Sequence, residues 1–115
     1  MSTRCFIGKT LADGQFQGIY CHHDGYFSGV GRTLKEFYTS PSQVDALLAL
    51  GDISSLGMDL TKDTGTVAYH RDRGEPFYPN TTYASVEEFL AGVETDMGVE
   101  YAYVFSGDSW KAFRV

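Results

Sequence analysis

Strand-like runs rich in apolar residues lie near both ends of the chain, the last of them alternating with period two, and apolar residues recur at helical spacing between them. Residues 4–10 and 16–22 are strand-like runs rich in Phe, Ile and Tyr, and the Asp13-Gly14 pair between them predicts a β-hairpin. A two-residue turn pairs Phe6 with Cys21 and Cys5 with His22. A three-residue loop sets Cys5 opposite Cys21, and the pattern leaves both registers open. Val30, Leu34 and Phe37 fall at i, i+4 and i+7, which predicts a short helix over residues 29–38.

A second helix carries its own punctuation. Ser40 is its N-cap, Pro41 its first residue, and Gln43 completes a Ser-x-x-Gln capping box. Val44, Leu47 and Leu48 form the apolar stripe, and Gly51 stops it. Residues 52–65 read as a loop with one short extended piece, and residues 66–70 as a strand. Residues 74–84 hold two of the three prolines and read as an irregular connection. Ser85 and Glu88 form a second capping box, ahead of a helix with Val86, Phe89, Leu90, Val93 and Met97 on one face and Gly98 at its end. Residues 100–105 and 110–115 form a final hairpin, with Tyr101, Tyr103 and Phe105 sharing a face.

The order β-β-α-α-β-α-β-β predicts a single α+β domain over residues 1–115. Its sheet is expected to be antiparallel, with four or five strands, and about three helices packed on one face.

Composition narrows the function classes. The chain has 115 residues, and its net charge of −6 argues against general nucleic-acid binding, which needs an excess of Lys and Arg. Acidity also suits a protein that docks on a basic surface, and equally serves solubility. Aromatic residues make up 15% of the chain, with eight Tyr and eight Phe, a surplus that serves either binding surfaces or a small core. Met1 to Arg4 lead straight into a strand-like run, so no secretory leader is expected, and no apolar stretch reaches membrane-spanning length. Cys5 and Cys21 are not a secreted disulfide framework.

The candidate chemistry lies in two polar islands, residues 20–26 (YCHHDGY) and 69–75 (YHRDRGE), which hold all three histidines. His22, His23, Asp24, His70 and Asp72 are metal-ligand types. However, neighbours His22 and His23 point to opposite faces of a strand, and no zinc-type spacing is present. Cys21 beside His22 is not a nucleophilic pair, because strand neighbours diverge. Anion binding is better motivated. Residues 28–33 form a glycine-rich lead into a helix, where backbone N–H groups favour negative charge. Arg71 and Arg73 would project to one side of an extended strand and suit bidentate phosphate or carboxylate recognition. Tyr20, Tyr26 and Tyr69 offer stacking faces. Against this stands a purely internal network, in which Arg71 and Arg73 pair with Asp24, Asp72 or Glu75.

Residues 19–26 (IYCHHDGY), 29–34 (GVGRTL), 49–57 (ALGDISSLG) and 66–75 (TVAYHRDRGE) resemble a family of small proteins from tailed-phage and prophage genomes. Members commonly carry Trp where this chain has His23 and Pro where it has Phe27. The resemblance implies phage origin and action in the bacterial host cytoplasm, and supplies no catalytic role for any residue. Small acidic phage proteins are frequently counter-defence factors.

The expectation is therefore a non-enzymatic binding protein that sequesters a small anionic, nucleotide-like ligand. Its site residues are expected to be Tyr20, His22, Asp24, Tyr26, Gly29, Gly31, Arg32, Tyr69, His70, Arg71 and Arg73, with no metal, cofactor or membrane. The alternatives are a docking inhibitor of a host defence enzyme, resembling anti-CRISPR proteins, and a small metal-dependent hydrolase using His22, Asp24, His70 and Asp72. A homodimer is expected through the tyrosine-rich final hairpin.

Overall fold

The computed structural model describes residues 2–96 and 98–115, with the side chains of 93–97 excepted. The first hairpin, β1 (Cys5–Thr10) and β2 (Phe16–Cys21), sets Cys5 opposite Cys21. The register follows from the turn. The Leu11 N–H donates to the Gln15 carbonyl, closing a three-residue loop in which Gly14 takes φ +90°. That left-handed position needs glycine.

A π-helical segment (Phe27–Gly31) runs into α1 (Arg32–Phe37), followed by α2 (Pro41–Ala49). Both halves of the predicted capping box form: Gln43 N–H donates to Ser40 Oγ at 3.3 Å, and the Gln43 side-chain oxygen accepts the Ser40 N–H at 3.0 Å. Then come β3 (Ile53–Ser55), a 3₁₀ turn (Lys62–Thr64), β4 (Val67–Ala68), α3 (Tyr69–Arg73) and β5 (Thr81–Tyr83). The chain closes with α4 (Val86–Asp96), β6 (Tyr101–Ser106) and β7 (Ser109–Arg114). Ser85 Oγ accepts the Glu88 N–H at 3.0 Å, the expected cap of α4. The expected contributions of Val93 and Met97 to its apolar face lie outside the described side chains.

The domain is α+β, but its sheet is mixed and has seven strands, in the order β4-β3-β2-β1-β6-β7 with β5 also on β2. Strand β6 runs parallel to β1, and β3 runs parallel to β2. The expected all-antiparallel sheet of four or five strands is corrected on both counts. The additional strands β3 and β5 are only three residues long each, too short for a pattern to show. Strand β5 also arises in the Pro-containing stretch expected to be irregular. The helices occupy both faces rather than one. Cys5, Ile7, Ile19, Tyr103 and Phe105 meet Val30, Leu34, Val44, Leu47 and Leu48 on one side. Phe6, Phe16, Ala102 and Val104 meet Phe89 on the other. Strand β1 is buried on both faces, so its Cys5-Phe6-Ile7 run is continuously apolar, as a central strand must be. No helix among the described residues is long and apolar enough to cross a membrane.

The strand expected over 66–70 stops at Ala68, and the second island is a helical turn. The Asp72 carboxylate reaches back to the Ala68 N–H at 2.8 Å and secures the start of that turn. Gly74, at φ +69°, ends it by donating its N–H to the His70 carbonyl at 3.2 Å.

Candidate functional site

That turn decides where the island's arginines go. On extended backbone, residues two apart share a side; on a helix they lie about 200° apart and diverge. Arg71 turns inward. Its guanidinium grips Asp72 through Nε (3.0 Å) and Nη2 (2.9 Å), and donates to the carbonyls of Leu60 (2.5 Å) and Thr66 (3.2 Å). This clasp ties the 60–66 segment to α3, and the Arg71 hydrogen bonds hold the Asp72 carboxyl below the usual carboxylate range. Arg73 leaves on another side, with its Nε 3.3 Å from Glu75 and its guanidinium 5.3 Å from the centre of the Tyr69 ring. Neither arginine lines the two cavities that hold other predicted site residues.

The first island closes on itself in a similar way. Tyr20 and His22 share a hydrogen bond of 2.7 Å, and desolvation, with smaller contributions from His23 and Arg4, lowers the His22 pKa. Asp24, at φ +58°, accepts the Tyr26 hydroxyl at 3.3 Å, and its carbonyl accepts the Val30 N–H at 2.8 Å. The N–H groups of Gly29 and Gly31 both donate to the Tyr26 carbonyl, at 3.0 and 3.4 Å. The donors expected to face an anion are thus bonded within their own loop. Gly31 answers a different need, since a Cβ there would come 2.9 Å from the Tyr103 ring.

Two cavities share the residues read from the sequence. The smaller, about 230 Å³, is lined by Tyr20, Leu50, Asp52, Tyr69, His70 and the strap from Glu75 to Tyr78. The larger, about 590 Å³, is an open groove between α1 and the final hairpin, lined by Phe27, Ser28, Gly31, Arg32, Lys35, Tyr103, Trp110 and Ala112. Tyr20, Tyr69 and His70 therefore belong to one cavity, and Gly31 and Arg32 to the other. His22, Asp24, Tyr26, Gly29, Arg71 and Arg73 line neither.

In the groove, the Trp110 indole N–H donates to the Tyr38 carbonyl at 2.8 Å, and its ring packs 5.1 Å from Phe105. Phe27 is held edge-on against Tyr101 at 4.8 Å and remains 47% exposed. The Tyr103 hydroxyl donates to the Gly25 carbonyl at 2.6 Å, and burial pushes its pKa up. Lys35 and Arg32 stand one helical turn apart on α1. Arg32 engages Glu36 only through Nε, at 2.8 Å.

Sequence reasoning missed Asp52 and the Phe77-Tyr78 strap of the smaller cavity, because nothing in a Gly-Asp-Ile run marks a half-buried carboxylate. It also missed Lys35, Trp110 and Ala112. The lone Trp and the Tyr101/Tyr103/Phe105 alternation were the available signals, and of that alternation Tyr103 lines the groove. Among the described residues no three His, Cys, Asp or Glu side chains are grouped as metal ligands. No family model, curated protein or solved structure matches the chain.

Proposed function

We propose that the protein binds a small organic anion with a flat body, nucleotide-like in character, in the groove between α1 and the final hairpin. The observation that carries this is the groove's composition: the aromatic side chains of Phe27, Tyr103 and Trp110 beside the cations Arg32 and Lys35, within about 590 Å³. That volume falls in the range of about 300–1,000 Å³ typical of small-molecule pockets. Aromatic faces suit a planar ring, and the free terminal nitrogens of Arg32 suit a phosphate or carboxylate.

With the resemblance to phage proteins, the reading is of a protein that sequesters a nucleotide signal of host immunity in an infected bacterium. Pairing of two copies along the open β7 edge belongs to the same proposal, and would appear as twice the monomer mass in light scattering. The test is a thermal-shift and Trp-fluorescence titration with cyclic and ADP-ribose-derived nucleotides. Docking of a host defence enzyme is the competing use of the groove, favoured by the exposed Phe27 ring. Recovery of one stoichiometric protein partner, with no response to any nucleotide, would select it.

A further inference from the structure

The smaller cavity has the opposite character. Its wall residues are aromatic, with Tyr20, Tyr69, Phe77 and Tyr78 around Leu50, and its charged groups are the carboxylates of Asp52 and Glu75. Glu75 already has a counter-charge in Arg73. Asp52 has none among the described residues; its one bond is from the Tyr20 backbone N–H to Oδ1, at 3.0 Å. His70 places Nδ1 2.9 Å from the Glu75 carbonyl, so the neutral ring carries its proton there and keeps Nε2 as an acceptor. The site therefore offers acceptors and ring faces beside the Tyr69 and Tyr78 hydroxyls, and its lining holds no Lys or Arg to meet an anion. About 230 Å³ takes one ring-sized group and not a whole nucleotide.

We infer that this cavity is a binding site for a small organic cation bearing N–H donors, an amidinium or ammonium, with Asp52 as its counter-charge and the aromatic walls as its cation–π surface. A half-buried carboxylate without a cation is electrostatically unsatisfied, and burial accordingly pushes the Asp52 pKa up. A bound cation removes that imbalance, and aromatic ring faces attract such a cation. The strap is well placed to shape the site. Phe77 stacks edge-on with His70 at 5.4 Å and lies against Gly51, where a Cβ would come 3.1 Å from its ring. This inference is independent of the groove.

The probe pair is benzamidine and its neutral isostere benzamide, titrated into ¹⁵N-labelled protein at constant ionic strength. Benzamidine should give saturable shifts at Tyr20, Asp52, Tyr69 and His70, and benzamide should bind at least tenfold more weakly. Asp52→Asn keeps an oxygen for the Tyr20 N–H and should weaken benzamidine at least tenfold, with an unchanged spectrum elsewhere. Equal binding of the two probes, shifts confined to other surfaces, or undiminished affinity in Asp52→Asn would overturn the inference. The comparison of the two probes on the unaltered protein decides it even if the variant folds poorly.

Discussion

Asp52 accepts the backbone N–H of Tyr20 through Oδ1 at 3.0 Å, and its own carbonyl accepts the Tyr69 N–H at 3.3 Å. One residue thus links the end of β2 to the start of α3 and presents a carboxylate to the cavity between them. The first and second islands meet through a residue that belongs to neither.

The Asp52 carboxyl should titrate above the ordinary aspartate value, because its burial outweighs the single N–H bond. Asp72 and Asp59 should titrate below it, held down by Arg71 and by the Thr61 and Thr64 hydroxyls respectively. The signs for stability are opposite. The Asp72 contribution is present above the unfolded pKa and is lost as pH falls through the folded one. Ionising Asp52 weakens the fold as pH rises from the unfolded value through the folded one. Carboxyl-detected NMR titration checks the order. Asp52→Asn should be neutral or stabilising, by no more than about 1 kcal/mol given solvent screening.

Arg71→Gln should lower the melting temperature by several degrees, since it removes the clasp on Asp72 and two carbonyls. Arg73→Gln should change it little, because its Glu75 pair is exposed on both sides. Thermal melts of the two variants side by side test the contrast. Equal losses would count against the helical-turn placement.

Tyr103→Phe leaves the Gly25 carbonyl without its buried hydroxyl donor, and should cost about 1–3 kcal/mol in urea denaturation. The cost should appear at unchanged secondary structure, because the ring itself stays packed against Gly31.

Gly18→Ala should be among the most damaging small substitutions in the sheet. Gly8 and Gly18 face each other across β1 and β2, and a Cβ on Gly18 would lie 2.2 Å from the Ile7 carbonyl oxygen and 2.7 Å from the Phe6 ring. Backbone cannot yield as a side-chain tip can, so a loss of at least about 1–3 kcal/mol is expected. Loss of soluble expression, or a melting temperature lowered by many degrees, checks it.

These residues also show what the sequence could and could not reveal. The Ser40/Gln43 capping box and the Ser85 cap were legible, because a cap is made between residues three apart. The final hairpin was legible from its alternation. The parallel pairing of β1 with β6 was not, since Cys5 and Tyr101 stand 96 positions apart and nothing local encodes their adjacency. The second island misled for a related reason. Val67-Ala68 does form a strand, and the helical turn over residues 69–73 is secured by the Asp72 side chain bonding back to Ala68, a contact no strand pattern shows. With that change Arg71 moved from an expected ligand contact to an internal clasp. The eleven expected site residues therefore divide between two cavities and the framework around them.

Trp110 is the chain's only tryptophan and lines the groove proposed to hold the ligand, so its fluorescence reports on that site. The decisive experiment is a Trp110 fluorescence titration with the nucleotide panel, on the unaltered protein and on the Arg32→Gln/Lys35→Gln double variant. Saturable quenching by at least one nucleotide is expected. Affinity should fall about 10- to 100-fold in the double variant, as for the loss of charge-assisted hydrogen bonds. No saturable response to any nucleotide, or equal affinity in the double variant, would refute nucleotide binding in the groove.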